Sequence, residues 1–131
     1  MSNVPDDLKY TASHEWVQLL EDGSVKVGIT EHAQDQLGDM VYVESPVLGQ
    51  TYAAGAECAV VESVKSASDL YCPVTGEVVE FNDALTDAPE TLNRDPYGEG
   101  WIFRLKPENA GDLDELLDAD GYREVVEAAE G

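Results

Sequence analysis

Residues 60–70 read Val-Val-Glu-Ser-Val-Lys-Ser-Ala-Ser-Asp-Leu, two apolar stretches around a small-residue centre that holds a single lysine, Lys65. If the flanking stretches pair as a hairpin, Lys65 lies at or beside the turn, with Ser66, Ala67 and Ser68 offering little bulk around it. The ε-amine of such a lysine is a nucleophile suited to forming an amide with a carboxylic acid cofactor, which an arginine could not do. Lys9, Lys26 and Lys106 stand elsewhere, near the N-terminus, inside a strand and after a strand. On composition alone, a solvated lysine in a polar turn is the plainer reading of Lys65.

The other chemistry-bearing residues form no convincing constellation. Two histidines and two cysteines, His14, His32, Cys58 and Cys72, are dispersed and lack the short spacing of a zinc site. His14-Glu15 opens like a zinc-binding helix motif, but Gln18 occupies the place of the second histidine. There is no serine-hydrolase elbow, no P-loop and no glycine-rich dinucleotide fingerprint. In a reducing compartment Cys58 and Cys72 are expected to be small, partly buried core residues. Whether they face each other depends on the hairpin register, which a one-residue change would invert.

The elements that must position Lys65 are short. Residues 14–19 are expected as a first strand, Asp22-Gly23 as a turn, and 25–29 as a strand with apolar and polar alternation. A brief helix follows, with Thr30 as cap, Glu31 near its positive end and Gly38 closing it. Further strands are expected at 40–44 (ended by Ser45-Pro46), 57–64, 70–74, 77–81 and 101–105, with 82–100 as an irregular loop with room for one helical turn. In the tail Leu113, Leu116, Leu117, Tyr122, Val125, Val126 and Ala129 fall at helical spacing. Gly121 would separate two short helices there, and the tail is expected to pack across the sheets. The expected organisation is a single domain over 1–131, mainly β, with a core of about 8–105 and a helical acidic tail of about 107–131.

Charge narrows the partners. Twenty-eight acidic residues against seven basic ones give a net charge of −21. Nucleic acid and anionic membrane would be repelled, because binding them requires cations to displace counterions. The tail from Pro107 to Gly131 is especially acid-rich, with nine acidic residues against Arg123 alone. An acid-rich, lysine-poor surface predicts adaptation to high salt, where self-repulsion is screened. No apolar run approaches the ~20 residues of a membrane-spanning helix. Residues 1–7 carry no targeting pattern, so the expected location is cytoplasmic.

Motifs spread along the chain now join the argument. Glu62-Ser63-Val64-Lys65, then Ser68-Asp69, then Pro73-Val74-Thr75-Gly76-Glu77-Val78 strongly resemble the lipoyl attachment region of glycine cleavage system H-proteins. Tyr10-Thr11 with His14-Glu15-Trp16-Val17 is similar to that family's opening. Val27-Gly28-Ile29-Thr30, Ala33-Gln34 and Leu37-Gly38-Asp39 are similar to its helix segment. Asn93, Asp95-Pro96-Tyr97-Gly98 and Gly100-Trp101 are similar to its late loop and last strand. The chain departs from the family at Ser66, often alanine, and at Ser45, often leucine. A biotin carrier would flank its lysine with methionines, and a 2-oxoacid dehydrogenase lipoyl domain usually shows Asp-Lys-Ala; neither pattern is present.

The resemblance implies a lipoyl-domain-like barrel-sandwich hybrid of two small antiparallel sheets, with a short internal helix and C-terminal helices. It implies a non-catalytic carrier with lipoic acid amide-linked to Lys65. The arm would take the aminomethyl group of glycine from the pyridoxal-phosphate P-protein to the T-protein, an aminomethyltransferase. Dihydrolipoyl dehydrogenase would reoxidise it, and a lipoate-attaching enzyme would install it. The resemblance also implies a cleft that shelters the loaded arm, at or near Glu15, His32 and Asp69. An H-protein that relays lipoate to other enzymes is the alternative the sequence leaves open.

Overall fold

The computed structural model describes residues 6–44 and 46–130, with the side chains of Ala110, Ala129 and Glu130 left aside. Ser45, the first five residues and the Ala129 side chain, read above, therefore lie outside the described structure. Among the described residues nine strands make two antiparallel sheets. The larger is ordered β1-β2-β3-β9-β8-β5 and the smaller β4-β6-β7. In the first, β1 (Lys9–Tyr10), β2 (Glu15–Leu19) and β3 (Val25–Ile29) form a meander, and β9 (Phe103–Pro107) joins β3 to β8 (Gly76–Phe81) and β5 (Thr51–Tyr52). In the second, β6 (Glu57–Ser63) lies between β4 (Met40–Glu44) and β7 (Ala67–Tyr71).

The alternation in β3 sends Val25, Val27 and Ile29 into a core shared with Val43, Val61, Leu70, Val78, Phe103 and Leu105 from both sheets. Trp16 points to the opposite face of β2, where a second cluster joins it to Tyr10, Tyr122 and Val126. Trp16 takes the space above Gly28, its partner across the ladder: a Cβ on Gly28 would lie 2.7 Å from the indole ring. The indole N–H donates to the Pro96 carbonyl at 2.8 Å, so the late loop is tied over the same ring.

α1 (Glu31–Leu37) connects β3 of the larger sheet to β4 of the smaller, and its first turn is capped by the Thr30 hydroxyl accepting from the Ala33 N–H. Gly38, at φ +85°, ends it and donates its N–H to the Gln34 carbonyl. Asn93 secures this corner: its side-chain amide donates to Gln34 Oε1 and to the Gly38 carbonyl, and its oxygen accepts the Met40 N–H.

Several boundaries differ from the sequence expectation. β7 begins at Ala67, not Leu70, because a tight turn over 64–66 lets pairing start at once. It ends at Tyr71, before Pro73, which has no N–H to offer. β9 starts two residues late, since the Trp101 carbonyl is taken by the Asn82 side-chain amide. The 82–100 loop contains two short helices, α2 (Ala84–Asp87) and α3 (Thr91–Arg94). The short strands β1 and β5 carry too few residues for a periodic signal.

In the tail, a 3-10 helix (Ala110–Glu115) precedes α4 (Ala119–Glu130). Gly121 does not separate them. It lies in the first turn of α4, its N–H accepted by Asp118 Oδ1 at 2.8 Å, so Asp118 acts as the cap. α4 packs against β1 and Trp16 on one face of the larger sheet.

Candidate functional site

Lys65 stands at the tip of the β6–β7 hairpin, exposed to solvent. The Ser63 hydroxyl shapes that tip by accepting the N–H groups of Lys65 and Ser66 at 3.2 and 3.1 Å while donating to the Ser66 carbonyl. The Ser63 N–H also bonds the Ser66 carbonyl, at 2.8 Å, and the Val64 N–H donates to Asp39. The turn backbone is therefore held from inside the loop and from the start of β4. The lysine side chain above it makes no ion pair among the described residues. Its stem passes the end of α1, where a Cβ on Gly38 would stand 3.3 Å from Lys65 Cε.

Further along β7 opens a cleft of about 100 Å³. Ile29, Ala33, Leu37, Val61 and Leu70 give it an apolar lining, and Ser13, His14 and Asp69 supply polar groups. An alkyl chain with a cationic end would find apolar contact there and a carboxylate beside it. The residues fit a lipoyl arm: the amine that would carry it is accessible, and the nearby cleft has the matching polarity.

The residues that the family resemblance groups around the arm do not all meet in this cleft. Asp69 lines it and is exposed. Glu15 is only 1% exposed and borders a neighbouring cavity of about 300 Å³, on the far side of Ser13, which lines both. Its Oε1 accepts from the Thr11 and Ser13 hydroxyls, each at 2.6 Å, while Oε2 is buried without a hydrogen bond of ordinary geometry. Burial raises the Glu15 carboxyl above its usual range, opposed by the Ser13 and Thr11 hydroxyls and the Tyr71 backbone. His32 is also buried, its ring 4.9 Å from that of His14.

His14, outside the set that the family resemblance implies, also stands in the cleft wall. Its backbone is left-handed, φ +73°, in a region that few non-glycine residues occupy. The Tyr122 hydroxyl from α4 meets His14 Nδ1 at 2.7 Å and Thr30 Oγ1 at 2.7 Å. This relay joins the C-terminal helix, the cap of α1 and the cleft wall. Burial lowers the His14 pKa, with the His32 charge adding to the effect. Its place in the opening motif His14-Glu15-Trp16-Val17 is a sequence signal that could have marked it.

The cysteine question is settled by register. An irregularity between Glu57 and Ala59 turns Cys58 inward beside Cys72; both are buried and free. Contact with Cys72 and burial push the Cys58 thiol up, which suits packing rather than nucleophilic chemistry. Among the described residues no histidine, cysteine or carboxylate group of three could hold a metal, and no helix is long and apolar enough to cross a membrane.

Comparison with known proteins agrees with this architecture. A family model described as "Glycine cleavage H-protein" matches residues 8–129. The glycine cleavage system H protein of Psychrobacter sp. (strain PRwf-1) is 63% identical over 123 residues, covering 94% of this chain and 98% of the relative. That of Shewanella sp. (strain ANA-3) is 58% identical over 127 residues, covering 97% and 98%. The crystal structure of a glycine cleavage system H protein from Mycobacterium marinum superposes with a TM-score of 0.85 at 44% identity, covering 92% of this chain and 97% of that one. Relatives named for glycine cleavage favour the carrier over the lipoate relay. With a matching family model over nearly its whole length, an exposed hairpin lysine and the two-sheet fold, the chain belongs to the glycine cleavage H-protein family, whose members are lipoyl carriers rather than catalysts.

Proposed function

We propose that Lys65 is the residue of this carrier that bears the lipoyl group, and that the 100 Å³ cleft along β7 shelters the arm between visits to the P-protein and the T-protein. The observation that carries this reading is an exposed amine without an ion pair among the described residues, on a turn whose backbone is hydrogen-bonded from both sides. When bound, the lipoyl group supplies a dithiolane that accepts the aminomethyl group of glycine at one enzyme and delivers it at the next. Everything else falls to the protein. The Ser63 hydroxyl and Asp39 carbonyl fix the point from which the tether starts. Tethering raises the arm's effective concentration at each partner's active site.

In the cleft, the apolar residues exclude water and the Asp69 carboxylate attracts an amine. Glu15 and His32 act from behind this wall, Glu15 by holding Ser13 in place and His32 by packing on His14. Dihydrolipoyl dehydrogenase as the reoxidising partner, a lipoate-attaching enzyme, a cytoplasmic location and adaptation to high salt complete the proposal, as does the reading of 1–131 as one lipoyl-carrier domain. Intact mass of protein from its native source should show one lipoyl addition, mapped to Lys65. Lys65→Arg should leave the fold intact and abolish carrier activity; an active Lys65→Arg protein would remove the assignment.

A further inference from the structure

Cys58 and Cys72 are nucleophilic side chains that take no part in the arm or its cleft. Lys65 stands midway between them, seven residues from each. Two backbone irregularities bring the pair together at the base of the hairpin. Pairing of β6 with β7 shifts between Glu57 and Ala59, so Cys58 and Ala59 are both buried. On the opposite strand Cys72 is met by two residues at once. Its N–H donates to the Ala56 carbonyl and its carbonyl accepts the Gly55 N–H, each at 2.8 Å. Two residues opposed to one is the pattern of a β-bulge, which re-aims side chains. Both cysteines consequently enter the main core, thiol beside thiol.

Each resting thiol is held by a backbone carbonyl, Cys58 donating to Leu70 at 3.5 Å and Cys72 to Val74 at 3.0 Å. Their surroundings differ. Cys72 is 1% exposed, yet it borders the cavity of about 300 Å³ that also touches Glu15 and Tyr71. A space of that size holds several water-sized molecules at about 30 Å³ each. Cys58 faces a separate cavity lined by Glu44, Glu57 and Asp69, where carboxylates surround it. Hydrogen bonding with Cys58 lowers the Cys72 thiol against the effect of burial, so the thiolate forms first on Cys72.

What could react there is limited by size and charge. A small peroxide fits the cavity and is uncharged. Glutathione disulfide cannot bring its sulfur against a side chain so covered, and its anionic groups are repelled by a net charge of −21.

We propose that Cys58 and Cys72 are a redox-modification site, at which a small uncharged hydroperoxide entering the cavity beside Glu15 converts the two thiols into an intramolecular disulfide that fastens the base of the lysine-bearing hairpin. The Cys72 sulfur attacks the terminal peroxide oxygen, the O–O bond breaks, and the thiol proton leaves with the alcohol or water released. Cys72 is then a sulfenic acid. The Cys58 sulfur displaces its hydroxyl, which takes up the Cys58 proton and departs as water. Two thiols lose two electrons, and one peroxide is reduced. The Cys58 thiol is pushed up and is a poor first nucleophile, but contact with Cys72 supplies for the second step what its acidity does not.

The test uses the full-length chain, with the lipoyl ring closed and also without a lipoyl group. Lys65 is the sole lysine or arginine between residues 27 and 93, so trypsin cuts the unlipoylated chain between the cysteines. The disulfide is then read as peptide 27–65 joined to 66–94, lighter by two hydrogens than the separate pair. Hydrogen peroxide should remove both thiols of the folded protein about tenfold faster, or more, than glutathione disulfide at equal concentration. Cys58→Ala should accumulate a dimedone-trapped sulfenic acid on Cys72, and Cys72→Ala should slow oxidation of the remaining thiol about tenfold. The oxidised unlipoylated chain should unfold about 5 °C above the reduced one, a shift that dithiothreitol reverses. Thiols that survive peroxide in the folded protein, or are lost only in urea, overturn the site. So do a disulfide formed between molecules, equal rates with glutathione disulfide, and an unfolding temperature that fails to rise. These readings come from the wild-type sequence and stay decisive if either alanine variant fails to fold. The unlipoylated chain reacts equally well, so a failed Lys65 assignment leaves this site standing.

Discussion

At the scale of single residues, His14 in the cleft wall and Glu15 behind it have their ionisation displaced in opposite directions. His14 has its pKa lowered by burial and by the His32 charge, so the unfolded chain takes up that proton more readily. Stability from neutral His14 is present above the ordinary value near 6.5 and is lost as pH falls through the window beneath it. The stability of His14→Asn relative to wild type should therefore increase as pH falls below neutrality, read from urea midpoints. Glu15 behaves in the reverse sense. Its raised carboxyl favours the folded state at low pH, and that contribution is lost as pH rises from the ordinary 4.5 toward the folded value. Glu15→Gln should gain on wild type over that upward range; parallel pH profiles would show that the carboxyl keeps its ordinary affinity for protons. Gly28 tests packing: with 2.7 Å between its would-be Cβ and the Trp16 ring, Gly28→Ala should cost about 1–3 kcal/mol in denaturant unfolding.

At the scale of elements, the C-terminal helix is more than an appended tail. Through Tyr122, stacked on Tyr10 with ring centroids 4.7 Å apart, α4 reaches the cap of α1 and the wall of the cleft. Tyr122→Phe keeps the stacking and removes the hydroxyl relay. It should lower stability by about 1–2 kcal/mol and hasten release of the carried group from the sheltered arm. Normal stability with an unchanged release rate would detach α4 from the site. The flanking stretches do pair as the β6–β7 hairpin with Lys65 at its turn, but the second strand starts three residues before the expected Leu70. Apolar periodicity detects Leu70, whereas the strand begins at Ala67 because of a turn closed by the Ser63 hydroxyl, and no hydropathy pattern records such a bond.

Across the whole molecule, a charge of −21 over 131 residues acts on the compact state as self-repulsion. The described ion pairs engage Arg104 with Asp22 and Glu80, and Arg123 with Asp6 and Asp120, so among the described residues most carboxylates have no ion pair of this kind. Raising KCl from low to molar concentration should raise the unfolding temperature, because a Debye length of about 3 Å near 1 M screens that repulsion. An unfolding temperature indifferent to KCl would end the case for salt adaptation.

Local chemistry by itself determined much of this protein. The alternation of 25–29, the cap at Thr30, the closing Gly38 and the small-residue turn around Lys65 act within a few residues of themselves, and each appears where the sequence places it. Tertiary structure decided what depends on distant partners. The slip in β4–β6 pairing that exposes Val41, the inward turn of Cys58, the left-handed backbone of His14 and the separation of Glu15 from the cleft all arise where strands or helices far apart in the chain meet. Those meetings are set by register and packing across the two sheets, forces that act between segments and leave no periodic trace within any one of them.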